Sequence, residues 1–82
     1  IDGTHEYAPA YLSIGKCLKL SGDLMEAENA LRTALELVPD EPDYLVELAI
    51  VLEKMKRDSE ASTIYRKAGE LRRKTASEKE QS

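Results

Sequence analysis

The sequence predicts an all-α fold built from two stacked, antiparallel helix-turn-helix units. Its 82 residues hold no Trp, no Phe and four Tyr, so the core must come mainly from Leu, Ala, Ile and Val. That composition suits helices that approach closely better than a sheet rich in aromatic residues. Apolar residues recur at helical spacing through residues 8–74. A shift of 34 residues lays 8–41 over 42–75 without a gap. Under it Leu18 falls on Leu52, Glu26 on Glu60, Ala27 on Ala61, Arg32 on Arg66, Ala34 on Ala68, Glu36 on Glu70 and Leu37 on Leu71. A helix-turn-helix unit of that period cannot bury its apolar face alone and does so by stacking on its copy.

The elements follow in order. Residues 1–7 show no period and read as a lead-in. The first helix is expected over 8–21, with Pro9 in the first turn, where a missing N–H costs nothing. Tyr11, Ile14, Gly15 and Leu18 form its inward face. Gly22 is expected to end it in a left-handed cap, and Asp23 to cap the next helix, with Glu26 completing a variant capping box. The second helix, over 24–37, turns Ala27, Ala30, Leu31, Ala34, Leu35 and Leu37 inward, and Glu28 and Arg32 can pair on its outside. Pro39 stops it by forcing Val38 out of helical geometry. The third helix, over 42–55, places Leu45, Leu48, Ala49, Leu52 and Met55 inward, and ends near Lys56-Arg57. Asp58 is the expected cap of the fourth, over 58–74, which presents Ala61, Ile64, Tyr65, Ala68 and Leu71. Gly69 within that helix predicts a close crossing that excludes a side chain. Residues 75–82 lack an apolar face and are expected to trail as a disordered polar tail.

Charge and composition exclude several functions. The net charge is −4, and it is divided: residues 1–53 hold eleven Asp and Glu against three Lys and Arg, while 54–82 hold five against nine. The two halves are therefore −8 and +4, which reads as two differently decorated solvated surfaces. A single cysteine, Cys17, precludes an internal disulfide and is expected to fill the core. No apolar run reaches the ~20 residues of a membrane span, so no membrane partner is expected. No signal-peptide pattern is present, and the start at Ile1 reads as a fragment of a longer chain, with a cytoplasmic or nuclear setting expected. His5 has no second His or Cys nearby, and no nucleophile–base set or Gly-rich phosphate loop occurs, so neither metal, cofactor nor catalysis is expected.

With those residues in place the chain resembles the tetratricopeptide repeat family over about residues 8–74. The first copy carries the motif in Tyr11, Ile14, Gly15, Leu18, Gly22, Ala27, Leu31, Ala34 and Pro39. The second, over 42–74, departs from it: Leu45 replaces the aromatic residue, Lys56 the turn glycine and Arg73 the closing proline. The last departure implies that the final helix runs on past the usual stop. The resemblance implies a short right-handed α-solenoid in which Gly15, Ala27, Ala49 and Ala61 let paired helices approach, while Tyr11, Leu31 and Tyr65 fill the wider gaps.

It also implies a protein-binding scaffold whose concave surface is lined by the first helix of each repeat. By position that surface comprises Leu12, Ser13, Lys16, Lys19 and Leu20, then Val46, Glu47, Ile50, Glu53 and Lys54. The expected partner-binding residues are Leu12, Val46 and Ile50 as apolar anchors, with Lys16, Lys19 and Glu53 fixing the orientation of a peptide or helix. The chaperone-tail clamp known in part of the family needs Lys and Asn where this chain has Leu12 and Glu47, so that ligand is not expected. Two repeats alone are marginal, which predicts adjoining repeats, self-association through the uncovered end faces, or completion by a partner. The basic cluster Arg66, Lys67, Arg72, Arg73 and Lys74 has no aromatic stacking platform beside it and reads as a solvated helix, not a nucleic-acid surface.

Overall fold

Two helical hairpins pack side by side. The computed structural model describes the backbone of residues 7–81 and the side chains of 7–74. Its elements are α1 (Ala8–Ser21), α2 (Leu24–Leu37), α3 (Pro42–Lys54) and α4 (Asp58–Gln81). Connections of two to four residues make successive helices antiparallel. α1 packs along α2 and α3 along α4, α2 joins the hairpins by packing on α3, and α1 touches α3 lightly.

The local chemistry explains each boundary. Pro9 and Pro42 sit in the first turns of α1 and α3, where φ is already suited to a helix. Gly22 ends α1 at φ 91°, its N–H bonding the Lys19 carbonyl at 3.1 Å while Asp23 N–H reaches Leu18 at 2.9 Å. This is a Schellman cap. Val38, before Pro39, leaves helical geometry at φ −134° and ψ 79°, and α2 stops there.

Four local expectations are corrected. The Asp23 side chain makes no cap hydrogen bond; its backbone carbonyl instead accepts from Ala27 N–H at 2.9 Å, so no capping box forms with Glu26. Asp58 lies inside the first turn of α4, and the Arg57 carbonyl receives Ala61 N–H at 3.1 Å. Gly69 is exposed, and a Cβ there would meet nothing within 4 Å, so no described helix crosses it. The helical backbone of α4 does not end at position 74 but continues to Gln81, because neither proline nor glycine follows to stop it. His5 and the rest of the lead-in to position 6 lie outside the described residues, as does Ser82.

The core is made of Ala27 and Leu31 from α2, Leu48, Ala49, Val51 and Leu52 from α3, and Ala61 from α4. Each fully buried Leu in it contributes roughly 1.5–3 kcal/mol by leaving water. Small residues set the spacing. At Gly15 an added Cβ would lie 2.7 Å from Leu31 Cγ and 2.8 Å from its Cδ2, so α1 and α2 are as close as this glycine permits.

The exposure of α1 departs from expectation. Tyr11 and Ile14 are 37% and 47% exposed, and Cys17 is exposed instead of filling the core. Their counterparts in the second repeat, Leu45, Leu48 and Val51, are 3%, 1% and 0% exposed. α2 lies against α3, whereas among the described residues no helix takes the corresponding place on α1.

Polar contacts tie the hairpins together. Glu28 bonds Arg32 at 2.9 Å, as the i,i+4 spacing predicts, and also Arg57 at 2.8 Å. Arg57 in turn bonds Glu60 at 2.7 Å, completing a bridge from α2 to the start of α4. Partial burial raises the Glu28 carboxyl, but the hydrogen bonds and charges of the two guanidinium groups outweigh it and leave the group below its usual range. Glu60 is likewise lowered, chiefly by its bond to Arg57.

Candidate partner-binding groove

α1 and α3 run beside one another with α4 at one end of their shared surface. Residues four apart on one helix share a face, so Leu12 and Lys16 project together from α1, and Val46 and Ile50 from α3. Between them opens a cleft of about 310 Å³, lined by Leu12, Lys16, Asp43, Tyr44, Val46, Glu47 and Arg72. Leu12 and Val46 are half-buried and Lys16 is exposed. The cleft thus offers aliphatic carbon beside a cation that has no ion-pair partner among the described residues.

Of the six candidate residues, Leu12, Lys16 and Val46 line this cleft. Lys19 does not, because its ammonium is held by Glu47 Oε1 at 2.8 Å, with the two side chains 16% and 20% exposed. This pair spans α1 and α3 and fixes their spacing on the groove side. Ile50 is half-buried outside the cleft. Glu53 is exposed and accepts a hydrogen bond of 2.7 Å from the Tyr65 hydroxyl. That bond, then partial burial and the charges of Glu53 and Glu47, push the Tyr65 phenol up to about 12.

Sequence reasoning missed Asp43, Tyr44 and Arg72. Asp43 and Tyr44 come from the first turn of α3, ahead of the stretch assigned to the groove. Partial burial first, and then the Glu41 carboxylate, raise the Tyr44 phenol. Arg72 arrives from α4, 29 positions from Asp43, and bonds Asp43 Oδ1 at 2.9 Å. With these side chains 59% and 79% exposed, the pair contributes roughly 0–1 kcal/mol, and Arg72 remains able to exchange partners. Only the unusual run of α4 beyond the closing-proline position, at Arg73, signals that it is there.

A second cleft, about 300 Å³, lies between α2, α3 and α4, with Leu35, Leu45, Leu48 and Ile64 beneath Arg32 and Lys67. Among the described residues no group of three or more His, Cys, Asp or Glu is placed to hold a metal ion. No described helix is long and apolar enough to cross a membrane.

The tetratricopeptide repeat family model matches residues 6–78, which takes in both hairpins and the groove between their first helices. A search of curated proteins finds no match. Repeats of this kind typically lack enzymatic activity and generally mediate protein–protein interaction. Hairpin order, the small residues between paired helices and the family match agree: the chain belongs to the tetratricopeptide repeat family.

Proposed function

We propose that this chain is a scaffold module that binds a peptide or helix of another protein in the groove between α1 and α3. The observation that carries the reading is the cleft joining Leu12 and Val46 to Lys16, which has no ion-pair partner among the described residues. An apolar side chain of the partner leaves water against Leu12 and Val46, and a neighbouring carboxylate meets Lys16. Lys19, already held by Glu47, acts as a strut between the helices instead of a contact. Ile50 and Glu53 extend the same surface toward the end of α3.

A phage-displayed library of random linear peptides tests this. Retained peptides are expected to carry an aliphatic or aromatic anchor next to Asp or Glu. Val46→Glu should weaken them at least tenfold, about 1.4 kcal/mol, with helicity unchanged by circular dichroism. Lys16→Glu, on an exposed side chain, should weaken the acidic peptides selectively. Peptides that bind both variants as well as the parent chain would refute the groove.

A further inference from the structure

Two ion pairs border the groove, nearly equal in length and opposite in setting. Lys19 and Glu47 meet at 2.8 Å with both side chains largely withdrawn from solvent, so removing either partner leaves the other's charge poorly solvated. Asp43 and Arg72 meet at 2.9 Å with both side chains mostly in water. Asp43 does not depend on its arginine. It lies in the first turn of α3, where the free N–H groups at the positive end of the helix favour an anion, and water reaches most of its side chain. Arg72 can therefore leave Asp43 at little cost, and it already lines the cleft that holds Leu12, Lys16 and Val46. With Glu47 matched by Lys19, the remaining charges of the lining are two cations, Lys16 and Arg72, against the single anion Asp43.

We infer that Arg72 is a specificity-determining residue of this groove: on binding it passes from Asp43 to a carboxylate of the partner, so that the groove selects an apolar residue with an acidic residue on each side of it. The inference rests on the peptide-binding reading above and names the chemistry of the peptide. The two cations approach from different sides. Lys16 stands on α1 and Arg72 on α4, and α3 packs against both, while among the described residues α1 and α4 do not touch each other. One carboxylate beside the apolar anchor meets one of these cations and leaves the other without a partner group; a second carboxylate, beyond the anchor, meets the other. The size of the cleft agrees. Its volume of about 310 Å³ lies at the small end of the ~300–1,000 Å³ range of ligand sites, which suits one apolar side chain with charged groups at its rim.

Short fluorescent peptides test this by anisotropy, each with a central Leu, Asp on one or both sides of it, and both termini blocked so that neither is charged. The doubly acidic peptide should bind the parent chain about fivefold more tightly than either singly acidic one, the value of a good pair at partly exposed positions. Arg72→Gln should erase that preference with helicity retained, since Arg72 is exposed and outside the core. Asp43→Asn frees Arg72 and should tighten the doubly acidic peptide about two- to fivefold, because a solvent-exposed pair is worth no more than that. A pair that serves only to hold α4 on α3 predicts no such gain. A doubly acidic peptide that binds no more tightly than the singly acidic ones, or is indifferent to Arg72→Gln, or is not tightened by Asp43→Asn, would overturn the inference. Val46→Glu separates the two readings. If it releases peptides that Arg72→Gln leaves bound, the groove stands and the role of Arg72 falls. If none of the peptides binds the parent chain, or none responds to either variant, both fall.

Discussion

Lys56 stands where the first repeat has Gly22, and the backbone treats the two alike. Lys56 adopts φ 66°, its N–H bonding the Glu53 carbonyl at 2.9 Å, while Arg57 N–H reaches Leu52 at 2.9 Å. These are the same two bonds that close α1 at Gly22. A side chain in the left-handed region sets Cβ against the following carbonyl and costs about 1–2 kcal/mol. Replacing it by glycine removes that cost but widens the unfolded ensemble, returning roughly 0.5–1 kcal/mol. Lys56 is exposed and makes no side-chain hydrogen bond or ion pair among the described residues, so nothing else is lost. Lys56→Gly should therefore stabilise the chain by about 0.5–1 kcal/mol, which at this size raises Tm by roughly 2–8 °C. Urea titration followed by circular dichroism gives the free energy and thermal melting the shift. Gly22→Ala is the mirror experiment. A Cβ at Gly22 would meet nothing within 4 Å, so its cost of about 1 kcal/mol would be backbone strain alone. If Lys56→Gly is neutral or destabilising while Gly22→Ala is costly, the two caps are not equivalent and the reasoning fails.

Three further outcomes follow from particular contacts. Gly69→Ala should raise stability by about 1 kcal/mol in the same titration, because the site is exposed, helical and open around the new methyl. Gly15→Ala should lower it by about 1–2 kcal/mol, as the clash with buried Leu31 exceeds the gain in helix propensity, and a higher urea midpoint would contradict the packing described. Glu28→Gln should cost about 1 kcal/mol near neutral pH, the partners being partly exposed. Because folding lowers the Glu28 carboxyl below 4.5, its contribution is complete above that pH and is lost as pH falls through the lower, folded value. The gap between parent and variant should accordingly close below about pH 4.5, and a gap that persists into strong acid would assign the effect to packing.

The sequence carries the helices plainly because each boundary is written locally. Pro9, Gly22, Pro39 and Pro42 act on their own backbone, and the periodic apolar positions need no knowledge of what they touch. Glycine is less legible. Gly15 and Gly69 are both helical glycines, yet one lies against Leu31 and the other faces open space. Nothing within a few residues of either distinguishes them. The difference lies in which side of the helix meets a neighbour, and that is a property of the assembled hairpin.

The same distinction explains why the groove was half legible. Repeat register places Leu12, Lys16, Val46 and Ile50 on one surface, since register fixes direction along a helix. It does not fix what each side chain meets across the gap. Lys19 and Glu53 hold matching positions in their repeats, yet Lys19 finds Glu47 on α3 while Glu53 finds Tyr65 on α4. Two charges expected to orient a partner are thus engaged within the chain, whereas Lys16 in the cleft has no ion-pair partner among the described residues. Cys17 and Val51 make the converse case, with equal register and opposite burial, because α2 packs on α3 and no described helix takes that place on α1. In a stacked repeat, exposure is assigned by the neighbouring unit, so one apolar register is core on α3, which α2 covers, and surface on α1, which no described helix covers there. Ile14→Glu, at a position 47% exposed, should therefore retain the helicity seen by circular dichroism, whereas Leu48→Glu, at one 1% exposed, should unfold the chain.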